Sequence, residues 1–266
     1  HAFMLVAPDF FNVGSVIPLA ASAPDVVLRA LRLKKLAGDI CATLGGRHTH
    51  PIAMTVGGFT HLPTVGEIKT LRERLVAAIK DMDDTVALFK TLSWPKFERE
   101  TEYVALSKPD EYAFIDGTIT STDGAKYPLN DYRKVTNEHL VQHSSAKHTK
   151  HKRDSYMVGA LARFNVNYKQ LHPRAKGVAS ELGLKPICTN PYLNTAAQVV
   201  EMVHCVEEAI NVCDQLIARG IQLEPLPKFN GKGGAGVGSC EVPRGILFHN
   251  YEIGDNGRIT SANCII

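Results

Sequence analysis

The sequence predicts a mainly α protein: a helical bundle core with small peripheral antiparallel β elements. Three observations carry this. Three long segments set apolar residues at near-helical spacing between start and stop signals. The stretch 101–130 instead shows short β-rich runs broken by Asp-Gly at 116–117 and 123–124. The stretch 243–266 holds two more such runs around a Gly-Asp-Asn-Gly turn at 254–257. At 266 residues, 44% of them apolar, the chain has material for a substantial core and is read as a single domain over 1–266.

The first helix follows Ser-Ala-Pro-Asp. Ser22 is the candidate N-cap and Pro24 fits the first turn. Leu28, Leu31, Leu36, Ile40 and Leu44 form its stripe, and Gly45–Gly46 end it. The second opens at Thr64, with Glu67 three residues on as a capping box. Ile68, Leu71, Leu75, Ile79, Met82, Val86 and Phe89 hold one face, and Pro95 closes the region. The third takes Asn190 as cap and Pro191 in its first turn. Ala196, Val199, Val203, Val206, Ile210, Cys213 and Ile217 are its stripe, and Gly220 its stop. The glycine-rich run at 229–240 is read as a loop. It has neither the strand context nor the Lys-Ser/Thr ending of a phosphate-binding loop.

Composition excludes several classes. Thirty basic against 27 acidic residues give a net charge of +3, with no basic block interleaved with aromatics, so nucleic acid is not an expected partner. No apolar run is long enough to span a bilayer. The six cysteines are dispersed, with no Cys-x-x-Cys pair, which predicts reduced, mostly buried thiols in a cytoplasmic compartment. The chain opens on His1 without a signal-peptide pattern and is read as a fragment or trimmed chain.

Four stretches stand out as carriers of chemistry. The loop GGRHTHPIAMTVGG, 45–58, brackets Arg47, His48 and His50 between glycines. Two histidines two apart in a loop are weak evidence for a metal, and solvated or hydrogen-bonded rings are the plainer reading. The segment 137–165 carries His139, His143, His148 and His151 among Lys147, Lys150, Lys152 and Arg153. His139 and His143 would share a face if it is helical. No Glu or Cys completes a zinc set and the cations repel a metal, so a polar surface with an electrostatic docking role is expected. In YMVGALARFN, 156–165, Arg163 ends an apolar run. Burial would demand partners, which makes it a structural ion pair or a site residue. In EVPRG, 241–245, Pro243 fixes the backbone before Arg244, and Gly245 allows a close approach after it. On the residues alone, Arg244 is either a site residue or the partner of a carboxylate such as Glu241.

Taken together, APDFF, GGRHTHPIAMTVGG, YMVGALARFN, TNPYLNTAAQVVEMVHCVEEA and EVPRGILFHNYEIGDNGRI occur in the order found in large subunits of nickel–iron hydrogenases. The chain resembles that family over nearly its whole length, most of all the cytosolic heteromultimeric branch. The resemblance implies reversible heterolytic cleavage of H2 to protons and electrons at a nickel–iron centre with carbonyl and cyanide ligands. The partner it implies is an iron–sulfur small subunit, with electron-carrier-reducing subunits or maturation chaperones as further ones. Pro243 and Arg244 would lie over the metal site, with Arg47, His50 and Arg163 in support. In the family four thiolates, from a Cys-x-x-Cys pair near each terminus, hold the metals. This sequence has neither pair. The expectation is therefore the middle portion of a large subunit, binding no metal and inactive by itself. The alternative is a non-catalytic scaffold subunit of a quinone-linked respiratory complex related to hydrogenases.

Overall fold

The computed structural model describes residues 2–228 and 231–266. His1 and the first two residues of the glycine-rich run, Phe229 and Asn230, lie outside the described residues. The helices in chain order are α1 Ala7–Phe10, α2 Val16–Ser22, α3 Pro24–Gly45, α4 Val65–Lys90, α5 Arg133–Thr136, α6 Ala160–Asn167, α7 Pro173–Glu181 and α8 Asn194–Arg219. The strands are β1 Met54–Thr55, β2 Gly58–Phe59, β3 Glu102–Ser107, β4 Thr118–Ser121, β5 Lys126–Tyr127, β6 Tyr156–Met157, β7 Gly234–Val242, β8 Gly245–Ile253 and β9 Ile259–Ile265. Helices predominate and the sheets are small, as the pattern predicts. The contacts divide the chain into two compact units. One is His1–Ser93 with Val199–Phe229, the other Trp94–Gln198 with Asn230–Ile266.

The first unit is helical. α4 starts as its sequence dictates: the Thr64 hydroxyl accepts from Glu67 N–H at 3.2 Å, and the Glu67 carboxylate accepts from Thr64 N–H at 2.7 Å. Its stripe is inside, with Ile68, Leu71, Leu75, Met82, Val86 and Phe89 all buried. Leu36, Ile68, Leu75, Ala78 and Cys213 make the core where α3, α4 and α8 meet, flanked by Leu33, Ile40, Val206 and Ile210. Ion pairs Arg74–Asp39 and Arg72–Asp214 tie these helices at the surface.

Two details of α3 differ from expectation. Ser22 is the last residue of α2 rather than the cap of α3, whose N-cap is Ala23 with no side-chain bond. Leu28 and Leu31 are 53% and 47% exposed, while Val26 and Ala30 are buried. α3 packs against α2 and the π-helical segment Ala2–Val6. A close approach there selects the small residues and turns the leucines outward. Gly46 then ends α3 with φ +86°.

The second unit is built on strands. Its four-stranded sheet has the order β5-β4-β3-β6, antiparallel except for the parallel β3–β6 pair. β3 is central: Tyr103, Val104, Ala105 and Leu106 have no exposed surface. α6 packs against it. The second sheet is the meander β7-β8-β9. Val104, Leu106, Ile119, Tyr132, Ile246 and Phe248 form the core, and the Tyr132 and Phe248 rings stack at 5.2 Å. Each such side chain contributes roughly 1.5–3 kcal/mol by burial.

The glycine-rich run from Gly234 is strand, not loop. Gly236 pairs with Tyr251 and Gly238 with His249 across the β7–β8 ladder. A ladder needs only backbone groups. The space beside both glycines is open, so it is the backbone pairing and not side-chain packing that makes this stretch a strand. The histidine-rich segment is not helical either. His139 and His148 bond each other's backbone at 2.8 and 2.9 Å in an isolated bridge, and the His143 ring lies 5.3 Å from that of His148. All six cysteines are thiols, but only Cys188 and Cys213 are buried. Cys41, Cys205 and Cys264 are exposed, so the mostly buried thiols that were expected are not found.

Candidate functional site

The pairing of Val242 with Gly245 leaves Pro243 and Arg244 as the two-residue tip of the β7–β8 hairpin. Pro243 has no N–H to lose in a turn and fixes its own φ. Gly245 has φ +150°, and a Cβ there would overlap the Val158 side chain. Across from it Gly159 has φ +94°, and a Cβ there would sit 3.0 Å from the Arg244 carbonyl oxygen. Val158–Gly159 and Arg244–Gly245 therefore meet backbone to backbone, an approach only glycine permits. The Arg244 side chain is exposed.

Arg163 grips the same turn from below. It stands on α6, which begins directly after Gly159 and whose Leu161 N–H donates to Asn194 Oδ1 at 3.1 Å. Arg163 is 1% exposed and heads the fully buried side chains by volume. Its Nη1 donates to Glu241 Oε2 at 3.0 Å and to the Val242 carbonyl at 2.7 Å. Its Nη2 donates to the Pro243 carbonyl at 3.3 Å. The other oxygen of Glu241 accepts from Leu106 N–H at 2.8 Å, which ties the pair to the central strand. The guanidinium also lies over the Phe114 ring at 5.9 Å. Arg163 thus makes a buried ion pair with Glu241. That pair holds the two carbonyls just before Arg244.

Arg47 and His50 belong to the first unit, while Arg163, Pro243 and Arg244 belong to the second. Arg47 Nε donates to the His50 carbonyl at 2.6 Å. His50 has φ +54°, unusual for a residue other than glycine. The loop is closed by Ile52 and Ala53 N–H groups donating to the Gly45 carbonyl at 2.7 and 3.0 Å. His48 approaches Asp39 at 3.5 Å.

A second buried polar group was missed in the sequence. Glu102, with no exposed surface, accepts from His151 Nδ1 at 2.6 Å, from Lys152 N–H at 2.8 Å and from the Ser121 hydroxyl. Burial pushes its carboxyl up, but the bonds from His151, Ser121 and Lys152 outweigh this and hold it below its ordinary value. The one sequence signal was a carboxylate opening the otherwise apolar run of β3. Burial also raises the Tyr103 hydroxyl to about 12 and pushes the Cys188 thiol up. Among the described residues no three His, Cys, Asp or Glu side chains are placed to hold a metal ion. No helix among them is long and apolar enough to cross a membrane.

No family model matches the chain. Over its whole length it is 32% identical to the alpha chain of sulfhydrogenase 1 of Pyrococcus furiosus, of which it covers 62%. It is 28% identical to a chain of the vhu F420-non-reducing hydrogenase of Methanococcus voltae, again over the whole of this chain and over 69% of that protein. Among solved structures it superposes on an NAD+-reducing [NiFe]-hydrogenase in the H2-reduced state with a TM-score of 0.83, at 24% identity. That match covers all of this chain and 65% of the other. The chain is related over its whole length to the alpha, or large, subunits of hydrogenases, has the fold of a nickel–iron hydrogenase chain, and spans about 62% of the length of the first of these relatives.

Proposed function

We propose that the chain belongs to the large subunit of a nickel–iron hydrogenase that cleaves H2 reversibly into protons and electrons. The observation that carries this reading is the similarity to a hydrogenase alpha subunit over the full 266 residues, at 32% identity. Those relatives favour the catalytic reading over a respiratory scaffold subunit. The electrons would pass to an iron–sulfur small subunit, and electron-carrier-reducing subunits would complete a cytoplasmic assembly.

The metal centre that this function requires, nickel and iron with carbonyl and cyanide on the iron, supplies the site at which the H–H bond is split. The residues present do not fit its ligand set. The six cysteines are isolated in sequence, and among the described residues no three potential ligands converge. No catalytic step is derived through the metals. What the chain contributes is the Pro243–Arg244 tip. Its backbone is held by the bonds from Arg163 and by the close approach at Gly159 and Gly245, and the Arg244 side chain is exposed on it. A planar cation so held suits an anionic group carried by a neighbouring centre. Arg47 and His50, which belong to the other unit, are read as supporting residues of the reaction.

The test is the hydrogen-oxidation rate of the complete purified enzyme carrying Arg244→Lys, compared with the parent at matched nickel and iron content. Lysine keeps the charge and loses the fork. A loss of at least about a hundredfold, roughly 3 kcal/mol, is expected. Equal rates at equal metal content would remove Arg244 from the mechanism and leave the tip as a turn.

A further inference from the structure

The second unit holds a buried carboxylate that the Pro243–Arg244 turn does not touch. Glu102 opens β3 and gathers donors from one short run of chain. Its Oε1 accepts from His151 Nδ1 at 2.6 Å and from the Ser121 hydroxyl. Its Oε2 accepts from Lys152 N–H at 2.8 Å and from Arg153 N–H at 3.3 Å. A carboxylate can only accept, so the proton of the His151 contact sits on Nδ1. The other ring nitrogen faces the Tyr127 hydroxyl at 3.4 Å. The same run is tied down on both sides. Arg153 binds Asp123 at 2.6 Å and Glu100 at 3.1 Å. The Ser155 hydroxyl bonds that of Thr101, and the Ser155 carbonyl accepts from Glu102 N–H at 2.9 Å. Residues 151–155 are thus clamped to the start of β3.

The clamp stands directly before β6. That strand lies at the edge of its sheet and pairs with β3 through two residue pairs, Glu102 with Tyr156 and Tyr103 with Met157. So short a ladder does not fix its own register in water. A slip of one residue would turn each following side chain to the other face. The residues that follow are Val158 and Gly159, which meet Gly245 and the Arg244 carbonyl. Arg163 holds the turn on its other side, at the carbonyls of Val242 and Pro243.

We propose that Glu102 and His151 are positioning residues for the Pro243–Arg244 tip and act through β6. Their bonds set where Val158 and Gly159 lie, and those two residues set the Arg244 side of the turn. The effect on turnover rests on the reading of Arg244 as a site residue; the effect on the position of the tip does not.

The experiment uses the complete purified enzyme. Hydrogen–deuterium exchange is followed in peptides covering 156–160 and 242–247. His151→Ala removes the Nδ1 donor. His151→Asn keeps a side-chain N–H at the place of Nδ1. Glu102→Gln puts an amide donor among groups that themselves donate, so it breaks the clamp from the other partner. Leu184→Ala, at a side chain 2% exposed elsewhere in the unit, controls for general loss of stability. Exchange in both peptides should rise at least about fivefold in His151→Ala and Glu102→Gln, and stay within about twofold of the parent in His151→Asn and Leu184→Ala. The hydrogen-oxidation kcat should fall at least about tenfold in the two clamp-breaking variants, with KM little changed, and recover in His151→Asn. If His151→Ala does not fold, Glu102→Gln against His151→Asn carries the comparison. Parental exchange over 242–247 in the clamp-breaking variants overturns the proposal. So does equal loosening by Leu184→Ala, or failure of His151→Asn to restore the tip. A loosened tip with a parental rate keeps the clamp and overturns the reading of Arg244.

Discussion

Replacing Arg163 by methionine keeps most of the side-chain volume and removes the guanidinium. The structure sets the size of the effect. The bonds to Glu241 Oε2 and to the carbonyls of Val242 and Pro243 are among those lost. The two side chains are 1% and 0% exposed, so water cannot replace what is lost. Glu241 would remain buried with Leu106 N–H on one oxygen and the guanidinium gone from the other. Breaking a buried pair in this way costs about 3–5 kcal/mol. Removing both charges together, as Arg163→Met with Glu241→Leu, should restore more than half of that loss, because the stranded charge goes as well. Urea denaturation of the four proteins, read by circular dichroism, gives the cycle. Arg163→Met alone costing under about 1 kcal/mol would refute the argument. A double variant no better than the single would refute it too, by showing that the two carbonyl bonds and not the ion pair dominate.

Other outcomes follow from the same contacts. Gly245→Ala should lower stability by about 1–3 kcal/mol, since its Cβ meets Val158 at positive φ; Gly236→Ala, with open space around it, should change melting little, and equal effects would contradict the backbone contact at the turn. Val203→Asp on α8 puts a charge where the side chain is 2% exposed and should cost several kcal/mol. His148→Ala on an exposed bridge should stay within about 0.5 kcal/mol, and a thermal melt ranking those two the other way would refute the placement of α8. Glu102, held below its ordinary value of 4.5, contributes stability that is present above 4.5 and lost as pH falls through its lowered value. Glu102→Gln should therefore flatten the acid limb of the stability curve below 4.5 relative to the parent, and parallel limbs would show that the carboxylate is not held as described.

The parts of the fold legible in the sequence are those that a local rule decides. The capping box of Thr64 and Glu67 needs only three residues of spacing, and the face from Ile68 to Phe89 needs only the helical period. The turn at 254–257 between β8 and β9 is read from Gly-Asp-Asn-Gly alone, with Gly257 at φ +73°. The failures occur where a partner distant in sequence decides. Leu28 and Leu31 obey the period of α3, but which face is covered depends on α2 and the π-helical segment Ala2–Val6. β7 has almost no side-chain signal, because its order is lent by β8 across the ladder.

The candidate site divides in the same way. Pro-Arg-Gly announces a turn within three residues, and the hairpin confirms the turn. Nothing local says what holds it. Arg163 lies 78 residues before Glu241, and Glu102 lies 49 residues before His151. The rule that a buried charge needs a partner states only that one exists. Which carboxylate it is follows from the packing of α6 on β3 and the crossing of Glu241 to Leu106. Glu241, the carboxylate offered for Arg244 on the residues alone, is seen to bind Arg163. The carboxylate proposed for Arg244 accepts from a buried arginine and a buried backbone N–H, while the Arg244 side chain is exposed. A turn needing only an ion pair to close would be served by the Arg163 grip already present. The Arg163 contacts account for the fixed turn, and the part that Arg244 itself plays is what the rate comparison of Arg244→Lys decides.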